Sequence, residues 1–318
     1  MAGPYAHITL LHGLMNALHD ESRQHVSEEV ISAVRDHFHF CVLGAVSPDF
    51  PSLATDGSGS PWADAMHYIR SGEMIVCGVR HVAQASAETQ PRLLAWLLGY
   101  CAHVVTDVTI HPVVRARVGD YAENQRRHRL CEMNQDAHIF ARMNRGELRD
   151  SNRFARDIVA CCQPGSAACL DRDVAFLWDR LLREVHPALY NSTPPLIREW
   201  FDRFCDMATT QAGQGGKLFP LAALISAGIQ RDYPRREHID QGFVESLATP
   251  SGGLMHYDAI FDKAAEHVCE LWNVVGRGVV SGDRDHLSRF GNWDLDTGLD
   301  ERGQLVFWGH GYKIVAVV

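Results

Sequence analysis

Apolar residues recur at spacings of three and four along most of this chain, which is the pattern of an amphipathic helix. A regular alternation of apolar and polar residues, which would indicate a strand, is not evident before residue 300. The pattern therefore predicts a mostly helical protein. The predicted helices are Ile8–Leu18, Glu28–Val34, Met74–Gln84, Pro91–Val114, Arg127–Arg142, Arg153–Cys162, Asp171–Glu184, Pro194–Ala208, Leu218–Ile229 and Tyr257–Val275.

Clusters of Gly, Pro, Ser and Asp separate the predicted helices. The longest, Ser47–Pro61, is expected to be an ordered loop, and long loops in compact domains often have a function. No internal repeat and no linker divides the chain, so residues 1–318 are predicted to form one domain that ends in a short hairpin over Gly303–Val318. The other clusters are Gly119–Asn124, Gln163–Ala167, Gly213–Lys217 and Thr249–Gly253.

The longest predicted helix carries three polar side chains on one face. His103, Asp107 and His111 are spaced four residues apart, and a helix turns about 100° per residue, so these side chains stack along its length. Their neighbours in Pro91–Val114 are apolar, which indicates a buried face. Burying two imidazoles and a carboxylate is costly unless a cation binds them. A metal site is therefore favoured over a polar stripe in contact with solvent.

The same spacing occurs a second time, at His128, Glu132 and Asp136. The two sets offer nitrogen and oxygen donors and no thiolate, a mixture that suits zinc in a hydrolytic site rather than in a closed structural site. A carboxylate between two histidines is also well placed to bridge two ions. Bridged ions can activate a water and stabilise the entering and leaving oxygens of a phosphoryl displacement.

Charge, cysteine content and apolar runs indicate which partners and which cellular location to expect. The net charge is −9 at pH 7 and no Lys/Arg cluster is present, so binding to long nucleic acid is not expected. The nine cysteines show neither a zinc-ribbon spacing nor a disulfide framework. No signal peptide and no run of 18 apolar residues is recognised, which predicts a cytoplasmic location and no transmembrane segment.

Five short motifs occur in order along the first half of the chain. They are Ala6-His7, Gly44-x2-Ser47-Pro48-Asp49, Met66-His67-Tyr68, Gly99-Tyr100-Cys101-Ala102-His103-x3-Asp107-x3-His111-Pro112 and His128-x3-Glu132-x3-Asp136. Over residues 5–140 the chain resembles the zinc-dependent phospholipase C family, which includes bacterial phosphatidylcholine-preferring enzymes and the N-terminal domain of glycosylphosphatidylinositol-specific phospholipase D. The resemblance implies a compact, nearly all-α bundle with a trinuclear zinc site in a cleft.

The resemblance also implies which residues bind zinc. Asp49, His67 and His103 match the ligands of one ion, and Asp107 matches the carboxylate that bridges it to another. Asp49 also matches the loop carboxylate that is best placed to act as the general base. The complete set of implied metal ligands is His7, Asp49, His67, His103, Asp107, His111, His128 and Glu132.

Two further ions follow from the same resemblance. His111, His128 and Glu132 match the ligands of a second ion, and His7 matches the histidine of a third. In the secreted bacterial enzymes the third ion is completed by the amine and carbonyl of the mature N-terminal residue. In this chain only Ala2, after removal of the initiator Met, could take that place. The remaining options are Asp136, whose role is open, and water, so two to three zinc ions are expected.

These observations predict a zinc-dependent phosphodiester hydrolase, most similar to a phospholipase C, that uses a zinc-activated water. The substrate is expected to be a phospholipid or a small-molecule phosphodiester. The sequence shows no basic amphipathic helix that would bind a membrane surface, which weakens the case for a membrane lipid. A nuclease, or a soluble phosphatase or phosphodiesterase, on the same site is one alternative. A non-catalytic metal-binding protein is another. Residues 150–318 show no recognised motif and are expected to add helices to the bundle.

Overall fold

The computed structural model describes residues 2–18, 26–143, 146–148, 153–163, 165–166, 169–214 and 233–309. These residues form helices joined by short turns, together with one small antiparallel hairpin of β1 (Leu247–Ala248) and β2 (Leu254–Met255). The prediction of an all-α fold is confirmed. The helices are α1 (Pro4–Leu18), α2 (Glu28–Asp36), α3 (Phe38–Gly44), α4 (Ser60–Tyr68), α5 (Ser71–Val82), α6 (Gln90–Val118), α7 (Tyr121–Arg142), α8 (Arg153–Val159), α9 (Arg172–Val185), α10 (Pro187–Ser192), α11 (Ile197–Gln214) and α12 (Tyr257–Val280).

The largest departure from the predicted elements lies in Ser47–Pro61, where a loop was expected. Residues Ser47–Leu53 form a 3₁₀ helix instead, and α4 begins at Ser60. Pro48 and Pro61 stand at the starts of these two helices, a position where the missing N–H of proline costs nothing. Burial of six of the seven residues in Ser47–Leu53 stabilises this short helix, which no periodicity could reveal.

Other predicted elements differ in smaller ways. The hairpin of β1 and β2 surrounds the predicted break at Thr249–Gly253, and its two-residue strands are too short to show an alternating pattern. The predicted helix over Leu218–Ile229 lies outside the described residues. So does most of the hairpin predicted over Gly303–Val318, of which only 303–309 are described.

Helix α6 is the centre of the fold. Every residue from Leu93 to Val114 is buried, and α2, α3, α5, α7 and α12 pack around it. A helix that is buried on all sides needs neighbours on all sides. By length and composition α6 is long and apolar enough to cross a membrane, but its most apolar 18-residue window is 100% buried inside the protein.

The backbones of α3 and α6 approach each other closely at two glycines. A Cβ atom added at Gly99 would lie 1.9 Å from the carbonyl oxygen of Cys41, and one added at Gly44 would lie 2.0 Å from that of Trp96. Only glycine at both positions permits this contact. The contact brings the end of α3, and the 3₁₀ helix that follows it, against the polar face of α6.

We expect Gly99→Ala to lower the free energy of unfolding by about 2 kcal/mol, because the new methyl group overlaps a backbone carbonyl that cannot move freely. Gly13→Ala is the matched control, since Gly13 is also inside a helix but its added Cβ meets only the Met143 side chain at 3.4 Å. That control is expected to be neutral or stabilising by up to about 1 kcal/mol. Urea denaturation of both variants measures the difference, and equal midpoints would contradict it.

Candidate metal centre

Three buried side chains of α6 form the middle of the centre. Asp107 lies between the two histidines that precede and follow it by one turn: its Oδ2 is 3.3 Å from His103 Nε2, and its Oδ1 is 3.3 Å from His111 Nε2. All three residues are at most 1% exposed. The spacing of four residues therefore produces the stacked arrangement that the sequence predicts, and it does so inside the core.

The first helix contributes a fourth group. His7 Nε2 lies 3.2 Å from Asp107 Oδ1, and its ring stacks on that of His103 with 4.2 Å between the ring centres. The backbone N–H of Ala2 donates to the same carboxylate oxygen at 2.8 Å. Burial alone would raise the pKa of Asp107, but the adjacent imidazoles of His103 and His7 outweigh it and hold the pKa well below its usual range.

A second group of donors meets the first at His103. Asp49 comes from the 3₁₀ helix and His67 from α4, and Asp49 Oδ1 lies 3.4 Å from His67 Nε2. His67 Nε2 lies 3.3 Å from His103 Nε2 and 4.0 Å from Asp107 Oδ2. Ligand atoms within 4.8 Å of one another thus form two clusters that could hold a metal, which are His7, His103 and Asp107, and Asp49, His67 and His103.

Backbone carbonyls determine which imidazole nitrogens face the centre. His103 Nδ1 lies 2.9 Å from the Ala45 carbonyl oxygen, and His67 Nδ1 lies 2.7 Å from that of Ala63. A carbonyl oxygen only accepts, so each Nδ1 carries the hydrogen, and in the neutral form of each ring the lone pair of Nε2 points inward. Two lone pairs that face each other across 3.3 Å repel, and a cation between the rings and the adjacent carboxylates removes that repulsion.

Several polar atoms in the centre are buried without a hydrogen-bond partner. These include Asp49 Oδ1, Asp107 Oδ2 and His111 Nε2. Leaving a buried polar atom unpaired costs about 1–3 kcal/mol, and more when the group is charged. Such atoms, converging from four helices with nitrogen and oxygen donors, fit a zinc ion with open coordination positions. The imidazole and carboxylate donors of this centre therefore fit zinc.

The candidate ligands on α7, His128 and Glu132, do not join either of the two donor clusters. His128 Nε2 contacts the Gly119 carbonyl oxygen at 2.6 Å, while its Nδ1 is buried without a hydrogen-bond partner. Glu132 is 1% exposed, and burial raises the pKa of its carboxyl. Within the described ranges, ligand atoms of His111, His128 and Glu132 do not all come within 4.8 Å of one another. The second ion with these three ligands therefore stays a prediction.

Asp136 has a different position from the rest of the second set. Its Oδ1 accepts the backbone N–H of Ala6 at 2.7 Å, and its Oδ2 accepts the hydroxyl of Tyr233 at 3.0 Å. A Cβ atom at Gly3 would lie 2.1 Å from Oδ2, so the chain passes directly over the carboxylate. Burial raises the pKa of Asp136 to about 8. The contacts make Asp136 the anchor for the start of α1, the helix that carries His7.

One further group near the centre, Asp296, has no signal in the sequence pattern. It lies in the segment 293–309, which packs over the centre: Leu295 N–H donates to the His67 carbonyl at 3.0 Å, and Trp308 Nε1 donates to the Thr109 carbonyl at 2.8 Å. Asp296 Oδ1 lies 3.6 Å from His111 Nδ1. An aspartate in a turn about 185 residues away along the chain has no spacing that could connect it with this histidine.

We expect Asp296→Ala to weaken zinc binding by about 10-fold, because carboxylates behind a ligating imidazole fix its orientation and raise its basicity. Competition with a chelator of known affinity measures the loss. Asp300→Ala is the control, since Asp300 accepts turn N–H groups in the same segment and does not contact the described donors. Equal zinc affinity in Asp296→Ala and the parent protein would contradict this role for Asp296.

The geometry first defines a class: an all-α protein whose helices bring imidazoles and carboxylates together at a buried centre that could hold metal. The model of the zinc-dependent phospholipase C family matches residues 6–188, more than half of the chain, and the chain belongs to that family. Membership indicates a zinc-dependent hydrolase. No curated protein and no solved structure matches the chain. The matched stretch includes all eight candidate ligands and ends before Asp296.

Proposed function

We propose that the protein is a zinc-dependent phosphodiester hydrolase that acts as a phospholipase C. The observation that carries this proposal is His103, whose inward Nε2 belongs to both donor clusters and lies 3.3 Å from the carboxylate of Asp107. Two clusters that share one ligand and adjoin one carboxylate suit neighbouring metal ions. That arrangement is characteristic of enzymes that displace groups at phosphorus.

Zinc, when bound, would supply Lewis acidity toward phosphoryl oxygens and a water of lowered pKa. The protein residues have separate tasks. Asp107 remains ionised because its pKa is low, and it holds His7, His103 and His111 around one carboxylate. Asp49 has a buried oxygen without a hydrogen-bond partner at the edge of the centre, so it can accept the proton of the attacking water.

The surface beside the centre favours a substrate with an apolar part. Tyr68 and Ile69 directly follow the candidate ligand His67 and are 41% and 51% exposed, although most large apolar side chains among the described residues are buried. An adjacent pair of exposed apolar side chains next to a polar centre suits a molecule that has both a phosphodiester and a hydrocarbon region. This supports a phospholipid over a free small phosphodiester.

The test combines metal analysis with a substrate screen on protein purified without chelator. We expect two to three zinc ions at the metal centre of each chain, and hydrolysis of mixed micelles of phosphatidylcholine or phosphatidylinositol in preference to bis(p-nitrophenyl) phosphate and single-stranded DNA. His103→Ala should lose zinc and activity, whereas His286→Ala, at an exposed histidine, should keep both. Folded protein without zinc, or with zinc but inert on every substrate, would overturn the proposal in favour of a non-catalytic protein.

A further inference from the structure

Another group of potential ligands lies where α5 packs against α9. Cys77 and His81 are one turn apart on α5, and Glu184 lies in the last turn of α9. One sulfur, one nitrogen and one oxygen atom of these residues are all within 4.8 Å of one another. His81 Nε2 lies 2.7 Å from Glu184 Oε2. The spacing of four residues on one helix, with the third donor from a neighbour, directs all three groups to one point.

This group is chemically distinct from the metal centre. The centre contains imidazole and carboxylate donors only, whereas this group includes a thiol. Neither Cys77 nor His81 nor Glu184 is among the residues that the family resemblance implies as ligands. A thiolate, an imidazole and a carboxylate together suit a borderline-soft divalent ion such as zinc, with water in the fourth position.

Accessibility and charge at the group allow an ion to enter. Cys77 is 1% exposed, while the side chains of His81 and Glu184 are 12% and 41% exposed, so the group lies at the surface with the thiol on its inner side. Arg80 Nη2 lies 2.6 Å from Glu184 Oε1, which leaves Oε2 directed at the histidine. The guanidinium can therefore remain as the outer partner of the carboxylate when Oε2 binds a cation.

Burial, with the nearby Glu184 carboxylate, raises the pKa of the Cys77 thiol to about 11. Without a metal the thiol is therefore protonated, and the group amounts to a histidine–glutamate pair beside a thiol. Binding of a divalent ion forms the metal–sulfur bond and breaks the S–H bond, and the proton passes to solvent.

We propose that Cys77, His81 and Glu184 form a second zinc site, separate from the metal centre, that links α5 to α9. It has three protein ligands and one water. Its expected consequence is mechanical: the ion joins two helices that otherwise meet through side-chain packing and exposed ion pairs. The alternative is that no ion binds. In that case His81 and Glu184 form only an ion-pair network with Arg80, and Cys77 is a buried thiol beside it.

Cobalt(II) distinguishes these two interpretations, because a thiolate ligand gives a charge-transfer absorption in the near ultraviolet that imidazole and carboxylate ligands do not. Metal-free full-length protein is titrated with cobalt(II) under reducing conditions. Because the metal centre also takes up cobalt, we expect this absorption to reach its plateau once both sites are filled, with the intensity of one thiolate-bound cobalt per chain. Cys77→Ser should abolish it and His81→Ala should weaken cobalt binding by at least about 10-fold. Cys269→Ser, a substitution of a partly buried cysteine outside this group, should leave the absorption unchanged.

Zinc analysis and activity complete the experiment. Cys77→Ser is expected to bind one zinc ion fewer than the parent protein while it retains hydrolysis, since Cys77 does not belong to the metal centre. No near-ultraviolet absorption in the parent protein, or the same absorption in Cys77→Ser, would overturn the second site. Loss of the proposed hydrolase function would not affect the cobalt result, so the two proposals can fail independently.

Discussion

Replacement of Asp107 by alanine is expected to abolish hydrolysis, by at least about 10³-fold in kcat/KM, and to remove most of the zinc from the metal centre. The carboxylate contacts His7, His103 and His111 and adjoins both donor clusters, so its loss removes a ligand from each ion that it touches. Metal-ion stabilisation of charge at phosphorus is worth several kcal/mol, and every 1.4 kcal/mol corresponds to about a factor of ten in rate. Steady-state kinetics and elemental analysis measure the two losses.

Two further variants make this result specific. Asp107→Asn preserves the shape of the side chain and removes its charge, so a loss of zinc in folded Asp107→Asn separates ligation from packing. Asp285→Asn makes the same change at an exposed aspartate and is expected to keep full activity and zinc content. If Asp107→Asn retained the zinc and the activity of the parent protein, Asp107 could not be the bridging ligand.

The part of the centre that could be predicted from the sequence is the part that depends on local geometry. His103, Asp107 and His111 are brought together by the helix itself, so their spacing predicts their arrangement before any tertiary contact is known. His7 and His67 have no such spacing and would be ordinary histidines on their own. Only the ordered set of motifs indicated them, and the structure places both beside His103.

The remaining features depend on contacts between distant parts of the chain. The acceptors that orient His103 and His67 are the backbone carbonyls of Ala45 and Ala63, and a carbonyl is present in every residue, so no side-chain pattern can reveal it. Asp296 reaches His111 only because the segment 293–309 packs over α4 and α6. Short helices such as α3 were missed for the same reason, since packing against α6 stabilises them more than their own sequence does.

The metal centre also predicts how the protein responds to a chelator. Without a cation, neutral His67 and His103 direct lone pairs at each other across 3.3 Å, and one buried oxygen each of Asp49 and Asp107 lacks a hydrogen-bond partner. An ion that binds only the folded state stabilises it by about 4 kcal/mol when its free concentration is 1,000 times the dissociation constant. We therefore expect metal-free protein to have a Tm lower by at least about 5 °C, and zinc to restore it.

Differential scanning calorimetry with and without chelator measures this shift, and variants identify its source. Cys77→Ser removes any contribution from the site between α5 and α9, so a shift that persists in Cys77→Ser comes from the metal centre. In Asp107→Asn, chelation should change the Tm much less than in the parent protein, because the centre no longer binds its ions tightly. If chelation left the Tm of the parent protein unchanged, the buried imidazoles and carboxylates would be stable without a metal. In that case the lone-pair repulsion between His67 and His103 would need another explanation, such as a proton shared between the two rings.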